Sequence, residues 1–353
     1  MTETTSATAT PSEPVGVLLV DKPEAPTSHD VVAFVRWALG VQQVGHCGTL
    51  DPLATGLLVV CVGAATRLVP YLTGVDKVYR ARFGLGRATT TADRAGETIA
   101  EAPVGPDAAG LVGHALEDMR GDLMLPPPAY SAVKVDGQRA YDRARKGHAV
   151  ELAARPMALR SLGDLALAPE AVEATCAVSK GTYIRSLAEE LGRRTGIPIH
   201  LAALHRIACG PLSLSHPAAV AGLLADRLPN RPGLPPKYRL RLQEAAGQGA
   251  GQDDPRRAAR DRLRAALLAP EVAVPFPVSR ATDALTGLLN GRSAPLDALP
   301  AAPPTYAEGL GDAARQGVLF PGGLVVVALQ DGFWRPERVI RTSVLSAEAV
   351  GTA

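Results

Sequence analysis

The chain has 353 residues, 46% of them hydrophobic and 20% charged, which is enough apolar sequence to bury a large core in two domains and excludes a wholly disordered chain. A net charge of only +2 excludes polyanion binding driven by global charge, and an aromatic content of 4% argues against stacked rings as the main grip on a ligand. No apolar run reaches membrane-spanning length and the N-terminus lacks a signal pattern, so a cytoplasmic protein with no membrane partner is expected. In chain order, residues 1–14 read as a polar, disordered tail and VGVLLVDKP (15–23) as a buried strand ending at Pro23. TSHDVVAFVRWALG predicts a helix, with Thr27 and Asp30 at capping-box spacing and Gly40 as its stop. LLVVCVG (57–63) predicts a second buried strand. KVYRARFGLG (77–86) alternates, with Tyr79, Ala81, Phe83 and Leu85 on one face and Arg80 and Arg82 on the other. Residues 107–121 predict a helix, and 126–147 a proline-led loop, a short strand, a turn at Asp136–Gly137 and a helix. AVEATCAVS (171–179) predicts a strand, and SKGTYIRSLAEELGRRTG (179–196) a turn entering a helix.

From residue 229 the character changes. Residues 231–264 hold nine Lys/Arg against four Asp/Glu, which reads either as a solvated basic linker with one helix or as a phosphate-contacting segment. GGLVVVALQDGFWRPERVIR (322–341) predicts a β-hairpin turning at Asp331–Gly332. The elements mix without βαβ regularity, which predicts an α+β fold. Four cysteines, Cys47, Cys61, Cys176 and Cys209, lack any CxxC or zinc-ligand spacing and read as reduced thiols.

The stretch HCGTLDPLATGLL (46–58) places Asp51 among small and apolar residues, where a carboxylate is costly unless something holds it ionised. Gly48 frees the backbone and Pro52 restrains it, so Asp51 is expected on a fixed loop at a cleft. The plain alternative is a helix cap ahead of Pro52.

HCGTLDPLATGLL resembles the signature of the bacterial tRNA pseudouridine-55 synthases, the TruB family. VDKPEAPTSHDVV (20–32), DKVYRARFGLG (76–86), TTTADRAGE (89–97), PPPAYSAVKVDGQRAYDRARKG (126–147), SKGTYIRSLAEELG (179–192) and HLAALHRIACGPL (200–212) resemble the same family in the same order. Together they cover about 15–217. The resemblance implies a pseudouridine synthase fold with a mixed, mainly antiparallel central sheet in residues 15–228, then an insertion at 229–270 and a β-rich, PUA-like RNA-binding module at 271–345. It implies isomerisation of the T-loop uridine at position 55 of tRNA, by cleaving the N-glycosidic bond of a flipped-out base and rejoining it through carbon 5, without cofactor or metal. A monomer is expected.

By the same resemblance Asp51 is the catalytic aspartate, acting on the ribose as nucleophile or as base. Arg185 is its partner, expected to lower its pKa; an ordinary helical pair with Glu189 is the alternative. Tyr79 matches the tyrosine that stacks on the base and handles a proton at carbon 5, Leu204 an apolar wall of the uracil pocket, His46 a histidine that holds flipped loop bases, and Asp93 part of a hydrogen-bond network. Lys22, Lys77, Arg80, Lys134, Arg139, Arg143, Arg145, Lys146, Lys180 and Arg206 are expected to line the T-arm phosphates. Three positions depart from the family pattern: Ala25 for glycine, Thr90 for aspartate and His205 for arginine. Rival readings are a non-catalytic tRNA-binding or folding protein using the same cleft, and a phosphatase, which needs further metal-binding carboxylates that the signature does not supply.

Overall fold

A computed structural model describes residues 13–131, 134–135, 138–139, 152–230, 234–243, 254–280, 284–299 and 314–342. The N-terminal tail up to residue 12, the helix expected after Arg139 and the basic residues Arg143, Arg145 and Lys146 lie outside the described residues.

Nine strands form the central sheet. Its elements in chain order are β1 (Gly16–Lys22), α1 (Ser28–Leu39), β2 (Val44–His46), β3 (Thr55–Val62), β4 (Lys77–Leu85), α2 (Ala108–Glu117), β5 (Gly121–Leu125), β6 (Arg155–Ala168), β7 (Ala171–Val178), α3 (Ile184–Thr195) and β8 (Ile199–Cys209). The strand order is β1-β3-β8-β4-β7-β6-β5, with β2 on β3 and Leu212–Ser213 on β8. Only β3 and β8 run parallel; the other pairs are antiparallel, so the fold is α+β on a mixed, mainly antiparallel sheet.

The local signals act as expected. Thr27 caps α1 in a complete capping box, and Gly40 closes it at φ 71°. The apolar runs of β1 and β3 are continuous because both faces of these strands are covered. Leu18, Val20, Leu58, Val60 and Val62 join a core with α1, α2 and α3, while Val17, Leu19, Leu57, Val59 and Cys61 join another with Phe276, Leu324, Val326 and Ile340.

Between the sheet and the C-terminal strands lie an antiparallel hairpin, β9 (Leu223–Leu228) and β10 (Lys237–Leu242), and helix α4 (Pro255–Ala265). In the stretch read as a linker or insertion, residues 237–242 and 255–265 form a strand and the expected basic helix, and Leu223, Leu240, Ala259 and Leu263 enter the core shared with α1. The last strands are β11 (Val278–Arg280), β12 (Ala294–Pro295), β13 (Arg315–Phe320), β14 (Gly323–Gln330) and β15 (Phe333–Arg341), in the order β11-β13-β14-β15-β12. The hairpin turn at Asp331 and Gly332 has φ of 51° and 80°, the two positive values of a type I′ turn. This sheet is fastened to the helical segment after β3: Tyr71 donates to Glu337 at 2.8 Å and Arg67 to the Val339 carbonyl at 2.6 Å, while Arg315, on β13, holds the same Glu337 carboxylate at 2.9 Å from within the sheet. Among the described residues no helix is long and apolar enough to cross a membrane.

Candidate active site

Residues 47–54 form the loop between β2 and β3. Three side chains hold it from beneath. Ser28, in the first turn of α1, donates to the Leu50 carbonyl and accepts from its N–H, at 3.1 and 2.9 Å. The Lys22 ammonium, at the end of β1, donates to the carbonyls of Pro23, Pro26 and Pro52. Arg206, on β8, donates to the carbonyls of Gly48 and Leu57 at 3.0 and 2.7 Å. Gly56 lets β3 and β8 meet this closely: a Cβ there would lie 2.3 Å from the Arg206 carbonyl oxygen, at a φ of 97°.

Asp51 sits on this fixed loop, and Arg185 reaches it from the first turn of α3. Nη2 of Arg185 lies 3.0 Å from Oδ2 of Asp51, and Nη1 lies 3.9 Å from Oδ2 of Asp93. The same guanidinium donates to the carbonyls of Thr91 and Tyr130 at 3.2 and 3.0 Å, which fixes its plane. Arg185 is buried, while the Asp51 side chain keeps 36% of its surface open. Arg185 thus faces the two aspartates rather than forming the alternative pair with Glu189. Asp93 is locked in turn by Thr91 Oγ1 at 2.7 Å and the Ala95 N–H at 3.0 Å.

Burial pushes the Asp51 carboxyl above its ordinary range; Arg185 and Lys22 pull it down and Asp93 pushes it further up. Arg185 thus acts in the expected direction, and the loss of water is the larger effect. Tyr79, opposite Arg206 in the β4–β8 register, is 9% exposed, and burial raises its hydroxyl while Arg206 opposes the rise. His46 is half-buried edge-on to His29 at 5.4 Å between centroids. Burial, then His29 and Arg206, lower its pKa to about 4, so it is a neutral imidazole at pH 7. Leu204 packs in the same core cluster as Tyr79 and walls a cavity of about 180 Å³ with Leu53, Thr55 and Ala81; the lining stops short of Asp51, Arg185 and Tyr79.

Three expected phosphate contacts are corrected. Lys22 is fully buried and Arg206 is 1% exposed, and both spend their charges on loop carbonyls around Asp51. Lys77 is likewise buried, donating to the Thr73 and Val75 carbonyls at 2.5 Å. Arg80 and Lys180 are exposed. Sequence reasoning missed Ser28 as a loop anchor and the two buried cations as struts. Their one sequence signal is charge beside an apolar strand, in LLVDKP and ALHRIAC.

The family model of the TruB pseudouridylate synthases, N-terminal domain, matches residues 36–184. Curated relatives named tRNA pseudouridine synthase B extend the match. The one from Symbiobacterium thermophilum is 46% identical over 221 residues, covering 61% of this chain and 73% of that protein. The chain belongs to the TruB family. The relative from Paracoccus denitrificans is 47% identical over 196 residues, 56% of this chain and 65% of its own length, and that from Opitutus terrae is 42% identical over 61% of this chain and 89% of its own length. The family match spans the Asp51 loop and β4 with its Tyr79. A solved Cbf5-Nop10-Gar1 complex has the same fold, with a TM-score of 0.62 at 21% identity over 93% of this chain and 85% of that one.

Proposed function

We propose that this TruB-family chain isomerises the T-loop uridine at position 55 of tRNA to pseudouridine, with Asp51 as the reacting group. The observation that carries the reading is the 3.0 Å contact between buried Arg185 and partly open Asp51. A carboxylate raised by burial is more basic and more nucleophilic than one in water, and Arg185 keeps the ionised form accessible. Either opening step, attack on ribose C1′ or removal of a ribose proton, uses that ionised form. The glycosidic electron pair leaves on the uracil. After the base turns, its carbon 5 bonds to C1′ as Asp51 either leaves C1′, in the first route, or returns the ribose proton, in the second, and the carbon 5 proton is lost as N1 gains one. The product is an isomer, so the cycle needs no net oxidant or water.

In this reading Tyr79 packs against the base and its hydroxyl relays the carbon 5 proton, giving up its own as it takes that one, Leu204 bounds the base opposite, and neutral His46 offers hydrogen bonds to flipped loop bases. Asp93 orients Arg185. Lys180 and Arg80, both exposed, remain as backbone contacts. The ligand is the tRNA T-arm, and the protein acts as a cytoplasmic monomer. Among the described residues no three His, Cys, Asp or Glu side chains group as metal ligands.

The test is T-loop pseudouridine in tRNA from cells lacking the protein, with Asp51→Asn supplied back. Loss of the modification without rescue, alongside retained tRNA binding, is expected. Rescue by the Asn variant removes Asp51 from the chemistry and favours the non-catalytic reading.

A further inference from the structure

The basic stretch after residue 229 takes no part in the catalytic site, yet it is a folded piece of surface. Hairpin β9–β10 and helix α4 bury Leu223, Leu240, Ala259 and Leu263 against the core beside α1. Two of the arginines are fixings. Arg256 Nε donates to the Trp37 carbonyl in the last turn of α1 at 2.7 Å, and Arg262 donates to the carbonyls of Gln243 and Ala221 at 3.0 and 2.6 Å.

The remaining cations face water. β10 alternates in burial, with Lys237, Arg239 and Arg241 outward and Leu240 inward. On α4, Arg257 and Arg264 are exposed. Acids on this surface are few: Asp226 pairs with Arg241 at 2.8 Å, and Asp261 lies 3.9 Å from Arg257 and 3.8 Å from Arg260. Residues 223–228, 237–242 and 254–266 together carry nine Arg/Lys against three Asp. A flexible linker would solvate such charges independently. Here a strand and a helix that both pack into the core beside α1 carry them.

This surface is also tied to the catalytic loop. Helix α1 grips Leu50 through Ser28 at one end and receives Arg256 at Trp37 near the other. Nine residues of helix separate these points, roughly 14 Å along the axis. A folded RNA whose loop is held at Asp51 is larger than that distance.

We infer that the outer face of β10 and α4 is a second RNA-binding surface, which takes the sugar-phosphate backbone of the substrate outside the loop that enters the cleft. The inference rests on the tRNA reading above and adds a place and a set of residues to it. Surface cations release counterions when phosphates bind them, so the surface contributes affinity and salt dependence rather than sequence preference.

The experiment measures binding of full-length tRNA to the whole chain from low to moderate salt, for the wild type and for Lys237→Gln/Arg239→Gln/Arg257→Gln/Arg264→Gln. The neutral variant is expected to bind about tenfold more weakly at physiological salt and to lose about two to three units of the log–log salt slope. Its single-turnover rate at saturating tRNA is expected to stay at the wild-type value. The charge-preserving variant Lys237→Arg/Arg239→Lys/Arg257→Lys/Arg264→Lys keeps the slope, which separates lost charge from a damaged fold. An unchanged affinity and slope in the neutral variant overturns the proposal, as does retention of tRNA binding with loss of binding to an acidic protein or to anionic vesicles. A wild type that binds tRNA with this slope but forms no pseudouridine would sink the catalytic reading and leave the surface standing.

Discussion

Replacing Arg185 by methionine isolates what the guanidinium does for Asp51. With Nη2 and Oδ2 at 3.0 Å, Coulomb's law gives about 5.5 kcal/mol at an effective dielectric constant of about 20, and about 1.4 kcal/mol in bulk water. The Asp51 side chain is 36% open, so screening reduces the first figure; about 2–3 kcal/mol is the working value, equivalent to about two pKa units. The sign follows from the charge: without the cation the ionised carboxylate is less favourable and the pKa rises beyond the value burial already sets. The acidic limb of kcat/KM for pseudouridine formation should therefore move up by about two pH units. The assay is tritium release from carbon 5 of labelled tRNA across the pH range, with circular dichroism to confirm the fold, since the Thr91 and Tyr130 carbonyls lose their donor. Arg185→Lys keeps a charge and should hold the limb near its wild-type position. A methionine variant whose acidic limb coincides with the wild type refutes the electrostatic role.

Lys22 has its pKa lowered to about 8 by burial, against the pull of Asp51. Between there and its unfolded value the unfolded chain holds the extra proton, so stability relative to Lys22→Met should grow by about 2–3 kcal/mol as pH rises through that window. Urea titrations at a series of pH values read the difference, and a pH-independent gap contradicts the assignment. Gly56→Ala drives a Cβ into the Arg206 backbone at a φ of 97° and should cost more than about 3 kcal/mol; a melting midpoint equal to wild type would show that β3 and β8 can separate freely. Ala25 sits at φ 90°, where an L-residue loses about 1–2 kcal/mol, so Ala25→Gly should stabilise by up to about 1 kcal/mol after the added chain entropy. Calorimetry showing a lower midpoint would mean that the loop carries no such strain.

Where sequence reasoning succeeded, the signal was local. Thr27, Asp30 and Gly40 state the limits of α1 in chemical terms, Asp331–Gly332 states a turn, and the alternation of 77–86 puts Tyr79 on the inner face of β4. The pairing of Asp51 with Arg185 came from the family blocks, because 134 residues of chain separate them. What failed was burial of charge. Lys22 and Arg206 look like surface cations in one dimension, and only the convergence of loop carbonyls turns them inward. Irregularities between Leu201 and Ala203 and between Arg206 and Ala208 break the period that would have revealed Arg206 as inward-facing. Strand β6 escaped notice for a like reason: it is largely exposed and is irregular twice along its length. The effect of Arg185 on Asp51 is visible as two residue types, whereas the larger effect, desolvation, is a property of everything around them.

Strands β1 and β3 are buried on both sides, and one of those sides is covered by Phe276, Leu324, Val326 and Ile340. During synthesis the Asp51 loop emerges long before those four residues do. A ribosome must thus deliver most of the chain before the strand that follows the loop is sealed from water, and until then its apolar side is open to chaperones and to other nascent chains. Folding of the catalytic half is completed by sequence that takes no part in its chemistry.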